Sequence, residues 1–168
     1  MVANENKGNE KLFNNNEYNT IMVGTNGKQS NNEQLELIVN LLVNPANKEV
    51  KNEILSTLYK QSESGLEILI KAISNPDYKE HKNVLLSACW ESGLDCSKHF
   101  SFFVNVAIND DYGSAIEAIT IIENTEEILP TEELNSNKQK IEKIIEGSGA
   151  KRELLKTLLT IIDSKIKQ

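Results

Sequence analysis

Asn44-Pro45-Ala46-Asn47-Lys48-Glu49-Val50-Lys51-Asn52-Glu53-Ile54-Leu55-Ser56 recurs 31 residues later as Asn75-Pro76-Asp77-Tyr78-Lys79-Glu80-His81-Lys82-Asn83-Val84-Leu85-Leu86-Ser87, and its opening returns as Asn109-Asp110-Asp111-Tyr112. Self-similarity at such a period belongs to stacked supersecondary units, each too small to bury its own apolar face. The residue before a proline is pushed out of the α region and Asn suits a turn, so Asn44-Pro45 and Asn75-Pro76 read as connections between helices.

Working outward, the residues before each turn carry an apolar stripe at helical spacing. Leu35, Ile38, Val39 and Leu42 are followed by Leu66, Leu69, Ile70 and Ile73, and then, 34 residues further on, by Phe100, Phe103, Val104 and Ala107. A second register repeats alongside, with Leu37 and Leu41, Ile68 and Ala72, and Phe102 and Val106. These first helices are apolar over more than half their circumference and must be covered on two sides. The residues after each turn predict an amphipathic second helix, carrying Val50, Ile54, Leu55 and Leu58, then Leu85, Leu86, Ala88 and Cys89, then Ala115, Ile116, Ile119 and Ile122. The unit is helix, tight turn, helix, and three units meet the usual minimum for a stable array.

The end of the chain departs from the repeat. Pro130-Thr131 reads as a helix start, and that helix runs to about Glu146. Gly147-Ser148-Gly149 closes it, and a last helix carries Leu154, Leu155, Leu158, Leu159, Ile162 and Ile166. An atypical terminal hairpin with a polar outer face is what a capping unit requires.

Composition narrows the class. A chain of 168 residues, 39% hydrophobic and 26% charged, is ordinary for one soluble domain with a real core. Residues 1–32 hold ten Asn and scattered apolar residues, too few to offset the entropy of ordering, and are expected to form a flexible tail. No basic start precedes a continuous apolar stretch, and no run is long enough to span a membrane, so the expected address is the cytoplasm. Cys89 and Cys96 form no disulfide framework. Net charge is −7, divided into −11 for residues 1–137 and +4 for 138–168. Between His99 and Asn137 there is no Lys or Arg but eight carboxylates, a stretch that would repel a phosphate backbone. It serves either as a solvated surface or as a docking face for a basic partner. The basic excess at the C-terminus reads as solvated lysines on the cap.

Three units of this length, each with a polar Asn-Pro or Asn-Asp turn followed by a second helix that opens in the manner of Glu49-Val50-Lys51, resemble the HEAT-like repeats of α-solenoid proteins. The resemblance covers residues 33 to about 124. Lys51, Lys82 and Ile116 stand where that family commonly has arginine, and an Asn-led turn stands where aspartate is common. The resemblance implies a short right-handed solenoid of antiparallel helix hairpins, with units at about 33–61, 63–92 and 97–125 and a capping hairpin over 131–167. It also implies a concave surface, lined by second helices, that binds a partner without catalysis.

If second helices line that surface, their positions outside the core are the candidate site. Asn52, Ser56 and Tyr59 fall on one stripe at i, i+4 and i+7; Asn83, Ser87 and Trp90 repeat them, and Glu117, Ile121 and Asn124 are their expected third set. Trp and Tyr supply large contact area at low entropy cost, so Asn52, Ser56, Tyr59, Asn83, Ser87, Trp90 and Glu117 make an anchor surface for a protein partner. The alternative is structural: Asn52 and Asn83 bonded to a neighbouring turn, with the aromatic rings packed between units.

Other chemistry finds little support. His81 and Cys89 would lie about 12 Å apart along one helix, whereas zinc ligands lie about 2.0–2.3 Å from the metal. No metal or cofactor is expected. The enlarged loop Gly93-Leu94-Asp95-Cys96-Ser97-Lys98-His99 gathers a thiol, an imidazole and a carboxylate, a set that makes either a nucleophile with an oriented base or a longer loop whose Asp95 or Ser97 caps the next helix. Catalytic HEAT-like relatives such as bilin lyases and alkylpurine DNA glycosylases offer a rival reading, but a glycosylase needs a basic groove that the −11 stretch lacks. A second rival is nucleic-acid binding by the basic C-terminal hairpin. The expectation is an all-α, non-catalytic scaffold.

Overall fold

A computed structural model describes residues 31–44 and 48–167, with side chains from residue 35 onward. The flexible tail expected over 1–32 lies outside the described residues except for its last two, which begin the first helix. Pro45, Ala46 and Asn47 of the opening motif also lie outside them.

The described residues are all-helical, with no strand among them. Eight α-helices follow in order: α1 Asn31–Val43, α2 Lys48–Gln61, α3 Glu63–Ser74, α4 Lys82–Glu91, α5 Phe100–Asn109, α6 Tyr112–Glu123, α7 Thr131–Ile144 and α8 Arg152–Ile166. Short 3-10 turns at Pro76–His81 and Ser97–His99 precede α4 and α5. Asn75 explains the first of these turns. Its side-chain oxygen accepts the Asp77 N–H over 3.0 Å, and Pro76 sits at the first helical position, so the chain tightens before α4 can begin. Asp111 starts α6 in the same way, accepting the Ser114 N–H over 2.9 Å.

Each helix packs on its successor within the pairs α1 and α2, α3 and α4, α5 and α6, and α7 and α8. Across pairs, α4 touches α6 and α6 touches α8, while α1 touches α3 and α5 touches α7. The α2 to α3 link is a single residue, Ser62, with φ of 51° and ψ of −120°. This left-handed conformation strains an L-residue. It brings the two helices so close that a Cβ on Gly65 would lie 2.4 Å from the Leu58 carbonyl oxygen.

One core runs through all the units, and burial repeats with the sequence. Ile38, Leu69 and Phe103 are buried at matching positions, as are Leu42, Ile73 and Ala107. In the second register Leu37, Ile68 and Phe102 are each half-buried, while Leu41, Ala72 and Val106 are each buried. First helices thus have two covered sides and a partly open third.

The second helices correct one expectation. Ile54, Leu55, Thr57 and Leu58 are buried on α2, and Leu85, Leu86, Ala88 and Cys89 are buried 31 residues later on α4. The matching buried set on α6 is Ala118, Ile119, Ile121 and Ile122, displaced by 33 and not by 34. The proline-free Asn109-Asp110-Asp111 turn is one residue shorter between its helices than Asn75-Pro76, so α6 rotates by one position. Ile116, expected in the core, is therefore 41% exposed, and Ile121, expected on the outer stripe, is 2% exposed.

Candidate functional site

The candidate face is built by α2, α4 and α6, and its geometry starts from lysines at equivalent repeat positions. Lys51 on α2 reaches Glu91 at the end of α4 (2.6 Å), and Lys82 on α4 reaches Asp110 before α6 (3.0 Å). Both ion pairs are partly buried and each joins one unit to the next, which holds the second helices in register although lysine stands where arginine is usual.

Seven residues are the sequence-predicted site, and they separate into two groups. Asn83 is tied into the scaffold. Its Oδ1 accepts the buried Ser114 hydroxyl over 2.7 Å, and a Cβ on Gly113 would come within 2.5 Å of its Nδ2. This is the bond to a neighbouring turn that the structural alternative anticipates. Ser87 donates to Val84 O in its own helix and is half-buried. Asn52, Ser56 and Tyr59 line a cleft of about 360 Å³ together with Glu91 and Ser92. Tyr59 is 60% exposed.

Trp90 is 39% exposed, and its Nε1–H donates to Glu117 Oε2 across the α4 to α6 boundary over 2.8 Å. Glu117 therefore belongs to the face as the residue that orients the indole, not as the third member of a repeated stripe. With the α6 register corrected, the third stripe reads Ile116, Thr120 and Glu123. Sequence reasoning missed Ile116 because the repeat was carried forward at the spacing of the first helices.

A second cleft, of about 420 Å³, opens beside Trp90 where α4 and α6 end, and Gly93 lies on its wall. Gly93 has φ of 72°, and a Cβ there would sit 3.8 Å from the Tyr59 ring. A residue that accepts the left-handed turn without a side chain thus separates the two clefts, and Tyr59 and Trp90 stand on either side of it.

No family model, no curated protein and no solved structure matches the chain.

The enlarged loop holds its polar groups in structural bonds. Asp95 Oδ1 accepts both the N–H (3.0 Å) and the hydroxyl of Ser97, the capping arrangement anticipated for this loop. Cys96 is 4% exposed and its thiol points to Leu94 O; no hydrogen bond joins it to His99 among the described residues. Cys89 is fully buried, and its thiol is pushed well above the usual range by a hydrogen bond with Cys96 and then by burial. Neither thiol is presented as a nucleophile. Among the described residues no group of three His, Cys, Asp or Glu side chains is placed to hold a metal ion. Nor is any helix there long and apolar enough to cross a membrane.

Proposed function

We propose that the chain is a short HEAT-like α-solenoid that acts without catalysis, binding a basic partner protein along the face of α2, α4 and α6. The carrying observation is the half-exposed Trp90, held in one orientation by Glu117 from the next helix and flanked by two clefts. A large aromatic side chain kept partly in water beside concave surface is the usual form of an interaction anchor. Burial that repeats from unit to unit and the Lys51 and Lys82 bridges between units support the solenoid part of the reading.

Protein binding is favoured over nucleic-acid binding by where the basic residues of the C-terminal hairpin go. Lys151 donates to carbonyls of Ala107, Ile108 and Asp110, Lys165 donates to Thr125 O, and Lys138, Arg152 and Lys156 pair with Asp163, Glu146 and Glu153. Little of the +4 remains to track a phosphate backbone.

The test is capture of cellular proteins on the immobilised chain, compared with a Tyr59→Ala, Trp90→Ala variant. Both side chains are largely outside the core, so the variant keeps the fold. Loss of a reproducible captured set, restored by neither single revertant in full, is the expected result; an unchanged set would remove this face as the site.

A further inference from the structure

The cleft beside Trp90 has a chemical bias that goes beyond a generic docking face. Its apolar wall is Trp90, Leu94 and Ile121, and its rim is Asp95, Glu126 and Glu127. It lies where α4 and α6 both end, so the negative ends of two helix dipoles reinforce the three carboxylates. Neither helix carries a basic residue in its last turn. The two nearest cations are already engaged: Lys98 pairs with Glu63 over 2.9 Å, and Lys165 donates to Thr125 O. Lys98 feels Asp95 and Glu127 without forming an ion pair with them, and Glu126 and Glu127 form no ion pair among the described residues.

Resting on the protein-binding reading above, we propose that this cleft receives an arginine side chain from an extended basic segment of the partner. Arginine fits the wall and rim together. Its planar guanidinium stacks on an indole face, its methylene stem covers apolar surface, and its forked donors meet carboxylates in pairs. A lysine ammonium would find the charge but would use the aromatic wall less well. The volume, about 420 Å³, admits one long side chain with part of its backbone. Glu117 holds the indole by its edge, which leaves a ring face for stacking.

The experiment titrates the full chain with a fluorescein-labelled peptide of alternating Gly and Arg, and with Gly-Lys and Gly-Glu counterparts, at low salt. Polarisation and Trp90 emission are read together. The Gly-Arg peptide is expected to bind and to change Trp90 emission, the Gly-Lys peptide to bind at least 3-fold more weakly, and the Gly-Glu peptide not to bind. A Glu126→Gln, Glu127→Gln variant is expected to lose about 10-fold in affinity, about 1.4 kcal/mol. A Glu36→Gln, Glu80→Gln variant, which removes the same charge from exposed positions outside the cleft, is expected to change little.

Absence of Gly-Arg binding, equal loss in both charge variants, or equal affinity for Gly-Lys would overturn the arginine assignment. The two readings fail separately. Captured proteins lost with Tyr59→Ala, Trp90→Ala but retained with Glu126→Gln, Glu127→Gln would keep the scaffold and discard the arginine cleft.

Discussion

Trp90 on α4 donates its indole N–H to the Glu117 carboxylate on α6 over 2.8 Å, while 39% of the residue stays in contact with water. The chain has one tryptophan, so its emission reports directly on the contact between two repeat units. Acrylamide is expected to quench it readily. Glu117→Gln, which keeps an acceptor, should leave the spectrum near the wild type. Glu117→Ala should release the ring and raise the quenching constant, with a stability cost of about 1 kcal/mol or less. A blue-shifted emission that resists quenching in the wild type would remove Trp90 from the exposed face.

The closest approach of two helices is at Gly65, where an added Cβ would lie 2.4 Å from the Leu58 carbonyl oxygen. Backbone cannot swing aside as a side chain can. Gly65→Ala is therefore expected to cost about 1–3 kcal/mol by overpacking. Gly147→Ala, at a site where a Cβ meets nothing within 4 Å, should stay within about 0.5 kcal/mol of wild type. Urea unfolding of both variants checks the contrast, and equal midpoints would refute it.

Lys151 anchors the C-terminal hairpin. Its ammonium donates to Ala107 O at 3.2 Å, to Ile108 O, and to Asp110 O at 2.7 Å, closing the carbonyl end of α5 from a distant part of the chain. Lys151→Met keeps the stem but removes the donors, and is expected to cost about 1–2 kcal/mol. Amide hydrogen exchange should quicken in α8 more than in α3. Uniform protection across the two helices would argue that the contact contributes nothing local.

Asp111 supplies a pH signature. The Ser114 backbone N–H, followed by its hydroxyl, holds the Asp111 carboxyl below its ordinary value of 3.8. A carboxyl lowered in the folded state stabilises fully above its unfolded pKa, and that contribution is lost as pH falls through the folded value. Asp111→Ala should thus cost about 1 kcal/mol near pH 7, and the gap from wild type should close as pH drops below 3.8. Urea midpoints for the two proteins between pH 7 and pH 3 measure the gap, and a gap that does not change with pH would exclude the charged cap.

Much of the helical content was legible in the chain because it follows from local rules. Apolar spacing placed the stripes at Leu66, Leu69 and Ile73 and at Phe100, Phe103 and Ala107, and Asn or Asp before each turn marked where helices start. The candidate site was legible only in part. Tyr59 and Trp90 could be placed on an outer stripe, but the third stripe was set one position off, because a turn shortened by one residue rotates the following helix by about 100°. No periodicity within α6 distinguishes the two settings, since Ala115, Ile116, Ile119 and Ile122 are apolar in either.

By itself, then, the sequence determined the secondary structure, the repeat and the acidic middle, all properties carried by neighbouring residues. The tertiary structure alone decided that Asn83 serves the scaffold through Ser114, that Glu117 orients Trp90, and that Asp95 shares a cleft with Glu126 and Glu127. Those pairings join residues about thirty positions apart, and they depend on how far each helix is rotated against the next. That rotation is set by packing of the buried faces, a quantity no local stretch of the chain contains.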